Sequence, residues 1–218
     1  MRMAIKVLFL TFGIALSASA QRRADVPPLP GAKYSLLGGE TVGKDVNVVS
    51  GEFGWPSITF GVTHGVSRDS DVGLKFDLLF GVEGVSSASQ FGIGFRAPLR
   101  TVLLRNDRLS VLVHIDPGLK VFTTSPALFG LGFPVGAIFG YAARPDLTVA
   151  FGVDLGMTLY VAPDVSMVFA PMFGPAVEFH VDPRLAVGFN TRFGPVFETR
   201  GGASDFGFLV QVLLAYKM

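Results

Sequence analysis

The sequence contains no cysteine, which excludes disulfide bonds, thiol catalysis and metal sites with cysteine ligands. Charged residues are also scarce, at 16% of the chain against roughly 25% in ordinary soluble domains. The formal net charge is only +1, so there is no basic surplus for binding nucleic acid. After the N-terminal region, no apolar run is free enough of glycine and charge to form a membrane-spanning helix.

What the chain does have is apolar surface in excess. Half of the residues are hydrophobic, and the chain contains 21 Phe and 27 Gly. The mean hydropathy is +0.51. A chain that is this apolar but has no spanning helix must present its apolar side chains to lipid in some other way.

The N-terminus has the features of a secretory signal peptide. A short basic start is followed by the apolar run 7–16 and by small residues that end at Ala20. We therefore expect export, with residues 1–20 removed by cleavage after Ala20, which changes the formal net charge from +1 to −1. The proline-rich stretch 21–32 is predicted to be a periplasmic lead-in, and 33–218 is predicted to form the folded part.

From residue 33 onward the dominant hydrophobic period is two, which indicates β-strands. In the segment 72–82 every second residue is large and apolar, whereas the residues between them are mostly small or charged. The same asymmetry recurs in the later segments up to residue 217. A soluble barrel fills its interior with bulky apolar side chains, so small and charged residues opposite a bulky apolar face favour a membrane barrel with a polar interior.

Short turns rich in Arg and Asp recur at nearly even spacing, at 68–71, 105–108, 144–146 and 182–184, and they indicate a repeated hairpin. The predicted strands are 33–41, 47–66, 71–84, 90–104, 108–122, 127–143, 147–161, 165–181, 184–199 and 204–217. The sequence thus predicts an all-β, closed, antiparallel, up-and-down transmembrane barrel of about ten strands, with eight as the alternative. The even count places both termini at one end, and counting back from a periplasmic C-terminus places the Arg/Asp turns there too.

These features together resemble bacterial outer-membrane β-barrel proteins of a small, uncharacterised type. The resemblance implies residence in the outer membrane of a Gram-negative bacterium, with membrane lipid and the barrel-assembly machinery as partners. It also implies that the last strand carries the assembly signal, read from Phe208, Val210, Val212, Leu214 and Tyr216. The chain ends in Met218, where such barrels usually end in an aromatic residue. No oligomeric state follows from these residues.

The inward face of the predicted strands carries many ionisable side chains, which must be paired or hydrated in a barrel. This predicted lumen network consists of Lys75, Asp77, Glu83, Arg96, Arg100, His114, Asp116, Lys120, Asp154, Glu178, His180, Arg192 and Glu198. The first interpretation is a salt-bridge network that fills a narrow lumen, and the second is a solvated path for a small polar solute. A third is an acid/base or metal cluster of His114, Asp116, Glu178 and His180.

The first functional hypothesis is therefore a barrel that is not an enzyme, has a plugged interior and serves a structural or interaction role. The alternative is a porin-like narrow pore or a carrier for small polar or hydrophobic solutes, and the third is a lipid-modifying enzyme. No catalytic residue, cofactor or metal ion is assigned. Trp55, Tyr160 and Tyr216 are expected in aromatic belts at the membrane interface.

Overall fold

The computed structural model describes residues 34–200 and 204–218. The predicted signal peptide, its cleavage after Ala20 and the lead-in 21–32 lie outside the described residues and remain predictions. No helix in the described part of the chain is long and apolar enough to cross a membrane.

Most of the described chain is in antiparallel strands. Their bounds are β1 (Asn47–Trp55), β2 (Ser57–Gly65), β3 (Ser70–Gly81), β4 (Ser89–Arg96), β5 (Leu99–Arg105), β6 (Leu109–Ile115), β7 (Gly118–Phe122), β8 (Leu128–Gly132), β9 (Val135–Arg144), β10 (Leu147–Ala162), β11 (Ser166–His180), β12 (Leu185–Glu198) and β13 (Ser204–Lys217). One short 3₁₀ turn, Ser86–Ala88, precedes β4.

These thirteen segments form ten barrel strands, because three strands are each interrupted at a proline. The breaks lie at Pro98 between β4 and β5, at Pro117 between β6 and β7, and at Pro134 between β8 and β9. Proline has no N–H to donate to the ladder, but the register is the same on both sides of each break. Because β1 pairs with β13 as well as with β2, the sheet is a closed antiparallel barrel. The predicted fold class and strand count are thus confirmed.

Two of the ten predicted strands are nevertheless wrong. The segment 33–41 was expected to be the first strand, but residues from Tyr34 onward run inside the barrel. The segment 47–66 was expected to be one long strand, but it is the hairpin of β1 and β2, which turns at Pro56. Since proline cannot donate a ladder hydrogen bond, Trp55-Pro56 ends one strand and starts the next. The two errors cancel in the count.

The two faces of the wall differ as predicted. Large apolar side chains are exposed on the outside, among them Leu74 at 72% and Phe206 at 59%. The inside holds alanine, glycine and ionisable side chains, among them the buried Asp77 and Glu178, together with apolar clusters toward its two ends. Tyr216 is exposed as expected, but Tyr160 is buried, which corrects its predicted place in an interface belt.

Candidate functional site in the barrel interior

The N-terminal residues Tyr34–Val46, which we call the inner segment, fill the lumen at the end that carries the Arg/Asp turns. Tyr34 is buried there, with its hydroxyl 2.7 Å from the carbonyl oxygen of Arg184 and 2.8 Å from that of Ala215. The ring of His180 lies edge-on to the Tyr34 ring, and its Nε2 is 2.7 Å from the Tyr34 carbonyl oxygen. Burial, followed by the nearby Glu178 carboxylate, raises the pKa of Tyr34 to about 12.

Glu178 is the main polar contact of the inner segment. Its carboxylate is fully buried, and it accepts a hydrogen bond of 2.5 Å from the Ser35 hydroxyl. The backbone N–H groups of residues 36, 37 and 38 also donate to it, at 3.1 Å each. A buried carboxylate is costly without such donors, so Glu178 and the turn of backbone around it depend on one another.

Arg100 holds the same segment from the opposite side. Its Nη1 and Nη2 each donate at 2.9 Å to the carbonyl oxygens of Leu36 and Ser35. Its Nε and Nη2 bind the buried Asp71 carboxylate at 2.7 and 2.6 Å. The same carboxylate accepts from the Val42 N–H at 3.0 Å, so one ion pair binds the inner segment at two places.

A second ion-pair group fixes the later part of the segment. Arg105 binds Glu40 and Asp69, each at 2.6 Å. At two points the backbone of the segment lies directly against a glycine of the wall. A Cβ atom at Gly140 would lie 1.7 Å from the Gly38 carbonyl oxygen, and one at Gly65 would lie 1.6 Å from that of Gly43. Glycine at these wall positions is therefore required for the segment to fit.

Ion pairs also line the wall in the middle of the lumen. Arg96 binds Asp77 through Nε and Nη2, both at 2.7 Å, and binds Asp116 through Nη1 at 2.6 Å. On the neighbouring strand, Lys75 binds Glu52 at 2.6 Å. Two carboxylates thus share one guanidinium group beside a separate lysine–glutamate pair.

A histidine takes part in a third group. His114 Nε2 lies 2.9 Å from Asp154 Oδ1, and Arg192 Nε donates to Asp154 Oδ2 at 2.8 Å. Arg192 is buried, and its Nη1 also donates to the Asn190 side chain at 2.6 Å. Asp154 therefore bridges a histidine and an arginine that belong to different strands.

The end of the lumen opposite the Arg/Asp turns holds an ion pair and a second buried apolar cluster. Lys120 and the Tyr160 hydroxyl both donate to Glu83, the latter at 2.6 Å. Val85 folds inward beside Glu83 and packs in a buried cluster with Phe122, Tyr160, Val168, Ala170 and Val196. At this end the indole N–H of Trp55 donates to the Gly84 carbonyl oxygen at 3.0 Å.

Between these two ends lies a cavity of about 340 Å³. Leu36 and Leu37 of the inner segment line it at one end, and Pro56 lines it at the other. Four ion-pair groups contribute to its wall, namely those of Arg96, Lys75 and Asp154 in the middle of the lumen and that of Glu83, together with apolar side chains such as Met157. The cavity is in the range of ligand-binding pockets.

Of the thirteen residues of the predicted lumen network, twelve have ion-pair or hydrogen-bond partners inside the barrel. Glu198 is the exception and a correction, because it lies exposed at the end of β12. Sequence reasoning missed Glu52, Asp71 and Arg105. Glu52 lies in the segment 47–66, which was predicted to be one long strand. Asp71 and Arg105 lie in the predicted Arg/Asp turns at 68–71 and 105–108.

The predicted acid/base cluster does not form as a single group. Glu178 and His180 bind the inner segment, His114 binds Asp154, and Asp116 binds Arg96. Within the described ranges no three His, Asp or Glu side chains are grouped so as to hold a metal ion. The predicted assembly residues Val210, Val212, Leu214 and Tyr216 are exposed on the outside of β13, and Phe208 is half-buried against Trp55.

No family model and no curated protein matches the sequence. Among solved structures, the chain is similar to the outer membrane protease OmpT of Escherichia coli, with 8% identity and a TM-score of 0.41. The match covers 81% of this chain and 94% of the OmpT chain. It contradicts the expectation that the chain is not an enzyme, and that expectation is withdrawn. At this identity and TM-score, no activity and no residue role of OmpT passes to this chain.

Proposed function

We propose that this chain is an integral outer-membrane β-barrel whose lumen is closed at rest by its own inner segment. The observation that carries the proposal is the inverted distribution of polarity, with phenylalanine, leucine and valine exposed outside and paired charges inside. Soluble monomers rarely expose apolar patches above a few hundred Å². A closed ladder with an apolar exterior meets the requirement that lipid imposes, because it leaves no free sheet edge.

The closure rests on the contacts of the inner segment. Glu178 binds it from β11, Arg100 and Arg105 bind it from β5, and it packs in a buried cluster with wall residues such as Leu112 and Leu213. Because both its backbone and its side chains are paired, the segment remains in the lumen unless several charge-assisted hydrogen bonds break together.

Export by the predicted signal peptide and recognition of β13 by the barrel-assembly machinery belong to the same proposal. Electrophoretic mobility of the membrane-extracted protein with and without boiling tests the barrel. We expect slow unfolding in detergent and a shift on boiling, with the protein in the outer-membrane fraction. A soluble periplasmic protein that shows no shift would contradict the proposal.

Single-channel recording in a planar bilayer tests the closure. We expect the wild type to give no steady conductance and a variant that lacks residues 34–42 to give stepwise conductance. Glu178→Gln serves as a second variant if the deletion does not fold, and boiling-dependent mobility identifies the folded preparations. Steady wild-type conductance, or a silent but folded deletion variant, would show that the inner segment is not what closes the lumen.

The cavity supports a second candidate function, a carrier for small solutes. A closed barrel with a structural role needs no internal space, whereas a carrier needs a site between two closed ends. Binding of a small solute by the purified barrel, in the absence of ion conductance, would distinguish a carrier from a pore.

A further inference from the structure

The wall of the barrel is paired less completely between β11 and β12 than along the other edge of either strand. The register of the two strands is the same from Val168 to His180, and Phe173 pairs with Phe193. In this described part of the wall, cross-strand pairs are missing at Ala170, Pro171, Met172, Gly174 and Pro175. By contrast, no position is missing between the first and last pairs of the β10–β11 and β12–β13 ladders. We call residues 170–175 of β11 and 191–196 of β12 the interrupted seam.

Three prolines account for the interrupted seam. The Thr199 N–H donates to the Met167 carbonyl oxygen on β11 at 3.0 Å, and a strand alternates the direction of its backbone groups. The odd-numbered residues of β11 and β12 therefore direct their N–H groups at each other. In this register Pro171 faces Pro195, so neither can donate and both hydrogen bonds of the pair are lost. Pro175 removes a third donor from the same edge.

Side chains bond the carbonyl groups of the interrupted seam. Arg192 Nη1 donates to the carbonyl oxygens of Thr191 at 2.7 Å and Gly174 at 2.9 Å. The Thr191 hydroxyl donates to the Pro175 carbonyl oxygen at 3.0 Å. Arg192 is held in turn by Asp154, which accepts from its Nε at 2.8 Å. Rotation of the arginine side chain releases bonds that elsewhere in the wall break only when strands separate.

The interrupted seam lies between the cavity and the outer surface of the barrel. Ala170, Met172 and Arg192 line the cavity on the inner side. On the outer side Phe173 and Phe193 are exposed, and their ring centroids are 4.8 Å apart. The least paired part of the wall thus separates the cavity from the lipid that surrounds the proposed barrel.

The two ends of the lumen are obstructed by chain. The inner segment fills one end, where it packs in a buried cluster with the wall. At the other end the loop 82–88 folds inward, and Val85 forms an isolated bridge with Gly207 of β13. The carbonyl oxygen of Gly84 in this loop accepts the indole N–H of Trp55. Entry through an end displaces a bonded segment, whereas entry through the interrupted seam displaces an arginine and two phenylalanine side chains.

From these observations we infer that the interrupted seam is a lateral entrance through which an uncharged solute dissolved in the membrane reaches the cavity. This inference rests on the membrane barrel proposed above and gives the carrier candidate its route and solute class. A charged solute is excluded from this route because hydrocarbon does not solvate it.

The cavity itself is compatible with such a solute. Each carboxylate that lines it has a cationic partner on the wall, so an uncharged solute leaves the existing pairs intact. An engineered apolar cavity of about 150 Å³ accommodates benzene. A cavity of about 340 Å³ therefore takes roughly a dozen heavy atoms.

A single thiol inside the cavity tests the entrance, because the chain has no cysteine of its own. Leu79→Cys places the thiol in the cavity wall on β3, across the lumen from the interrupted seam. The probes are N-hexylmaleimide, which dissolves in lipid, and N-(2-sulfoethyl)maleimide, which is charged and stays in water. With the full-length barrel in lipid vesicles, we expect modification by the hexyl reagent to be at least about tenfold faster, since hydrocarbon excludes the sulfonate. In denaturant the two reagents should react alike.

Proline substitutions in the Leu79→Cys background test whether the route is the interrupted seam. Pro171→Val with Pro195→Val supplies the two N–H groups of the facing pair, and we expect about tenfold slower modification by N-hexylmaleimide because opening then breaks two more hydrogen bonds. Pro98→Val with Pro117→Val is the matched control, because it makes the same two changes at breaks in other strands. We expect the rate to be unchanged there. If the first double variant does not fold, Pro171→Val alone replaces it, with a smaller decrease in rate.

Equal rates for the two reagents in the folded barrel would mean that entry is through water, and they would overturn the inference. It is also overturned if the seam variant reacts at the rate of its parent, or if the thiol reacts only after denaturation. Mobility with and without boiling is measured on the same preparations. A barrel that shifts on boiling but gives one of these results contradicts the lateral entrance alone, and a protein that fails the mobility test contradicts the proposed function.

Discussion

Glu178 at the turn end of the lumen and Arg96 in its middle are both charged side chains inside the barrel, but their surroundings differ. Glu178 is fully buried, and its donors are one hydroxyl and backbone N–H groups of a single segment. Arg96 is bound by two carboxylates and still borders a cavity. A charge whose donors all come from one segment holds that segment in place, whereas a charge beside a cavity is held only by its neighbours on the wall.

The largest expected effect is at Glu178. Glu178→Gln leaves several buried N–H groups facing an amide, so we expect the free energy of unfolding to fall by about 4 kcal/mol. Urea-induced unfolding of the protein from lipid vesicles measures this change. It is monitored by the fluorescence of Trp55, the single tryptophan of the chain. Glu198→Gln is the matched control because it makes the same chemical change at an exposed strand end, and we expect little effect there. Equal effects at the two positions would remove the distinction between a buried and an exposed glutamate.

A smaller loss is expected at Arg96. Arg96→Met leaves Asp77 and Asp116 without their cation, but water in the cavity can reach them, so we expect a loss of about 2 kcal/mol. The same unfolding titration measures it, and adding Asp77→Asn and Asp116→Asn should restore most of the stability. A loss at Arg96 that is larger than the loss at Glu178 would mean that the middle of the lumen is the drier region.

A gain is expected at the proline breaks. The Ala97 N–H donates to the Pro117 carbonyl oxygen at 2.8 Å, but Pro117 has no N–H to return. Pro117→Val supplies that donor, which contributes about 1 kcal/mol, offset in part by the greater freedom of the unfolded chain. Amide hydrogen exchange checks this, and we expect slower exchange at Ala97 and its neighbours. Faster exchange there would mean that the break is needed for the wall to bend.

The smallest effect is expected for an ion pair outside the lumen. Arg200 and Asp164 lie 2.5 Å apart, and both are more than half exposed. Asp164→Asn should change the free energy of unfolding by less than about 0.5 kcal/mol, because water and salt screen exposed pairs. The unfolding titration at low and high salt provides the check. A loss of stability comparable with that for Arg96→Met would indicate that the Arg200–Asp164 pair has a structural role of its own.

The period-two pattern and the size asymmetry of its two faces determined most of the fold. They predict an antiparallel barrel with charges inside, and they place Asp77, Arg96 and Asp154 inward correctly, because a strand assigns alternate side chains to opposite faces whatever its partner is. The same pattern gave a wrong prediction for a segment that alternates but does not pair with the wall. Residues 34–41 alternate well enough for a strand, but Tyr34 and Leu37 lie inside the barrel.

Only the tertiary structure decided which charges meet and where space remains. Glu178 and Ser35 are 143 positions apart, and no local pattern relates them. Nothing in the local sequence distinguishes Gly65 and Gly140 from the other glycines of the wall. A side chain at either position would nevertheless collide with the backbone of the inner segment, at Gly43 or at Gly38. Alternation is a local property that each strand carries by itself, whereas pairing, closure and the cavity depend on the register between strands that are distant in the chain.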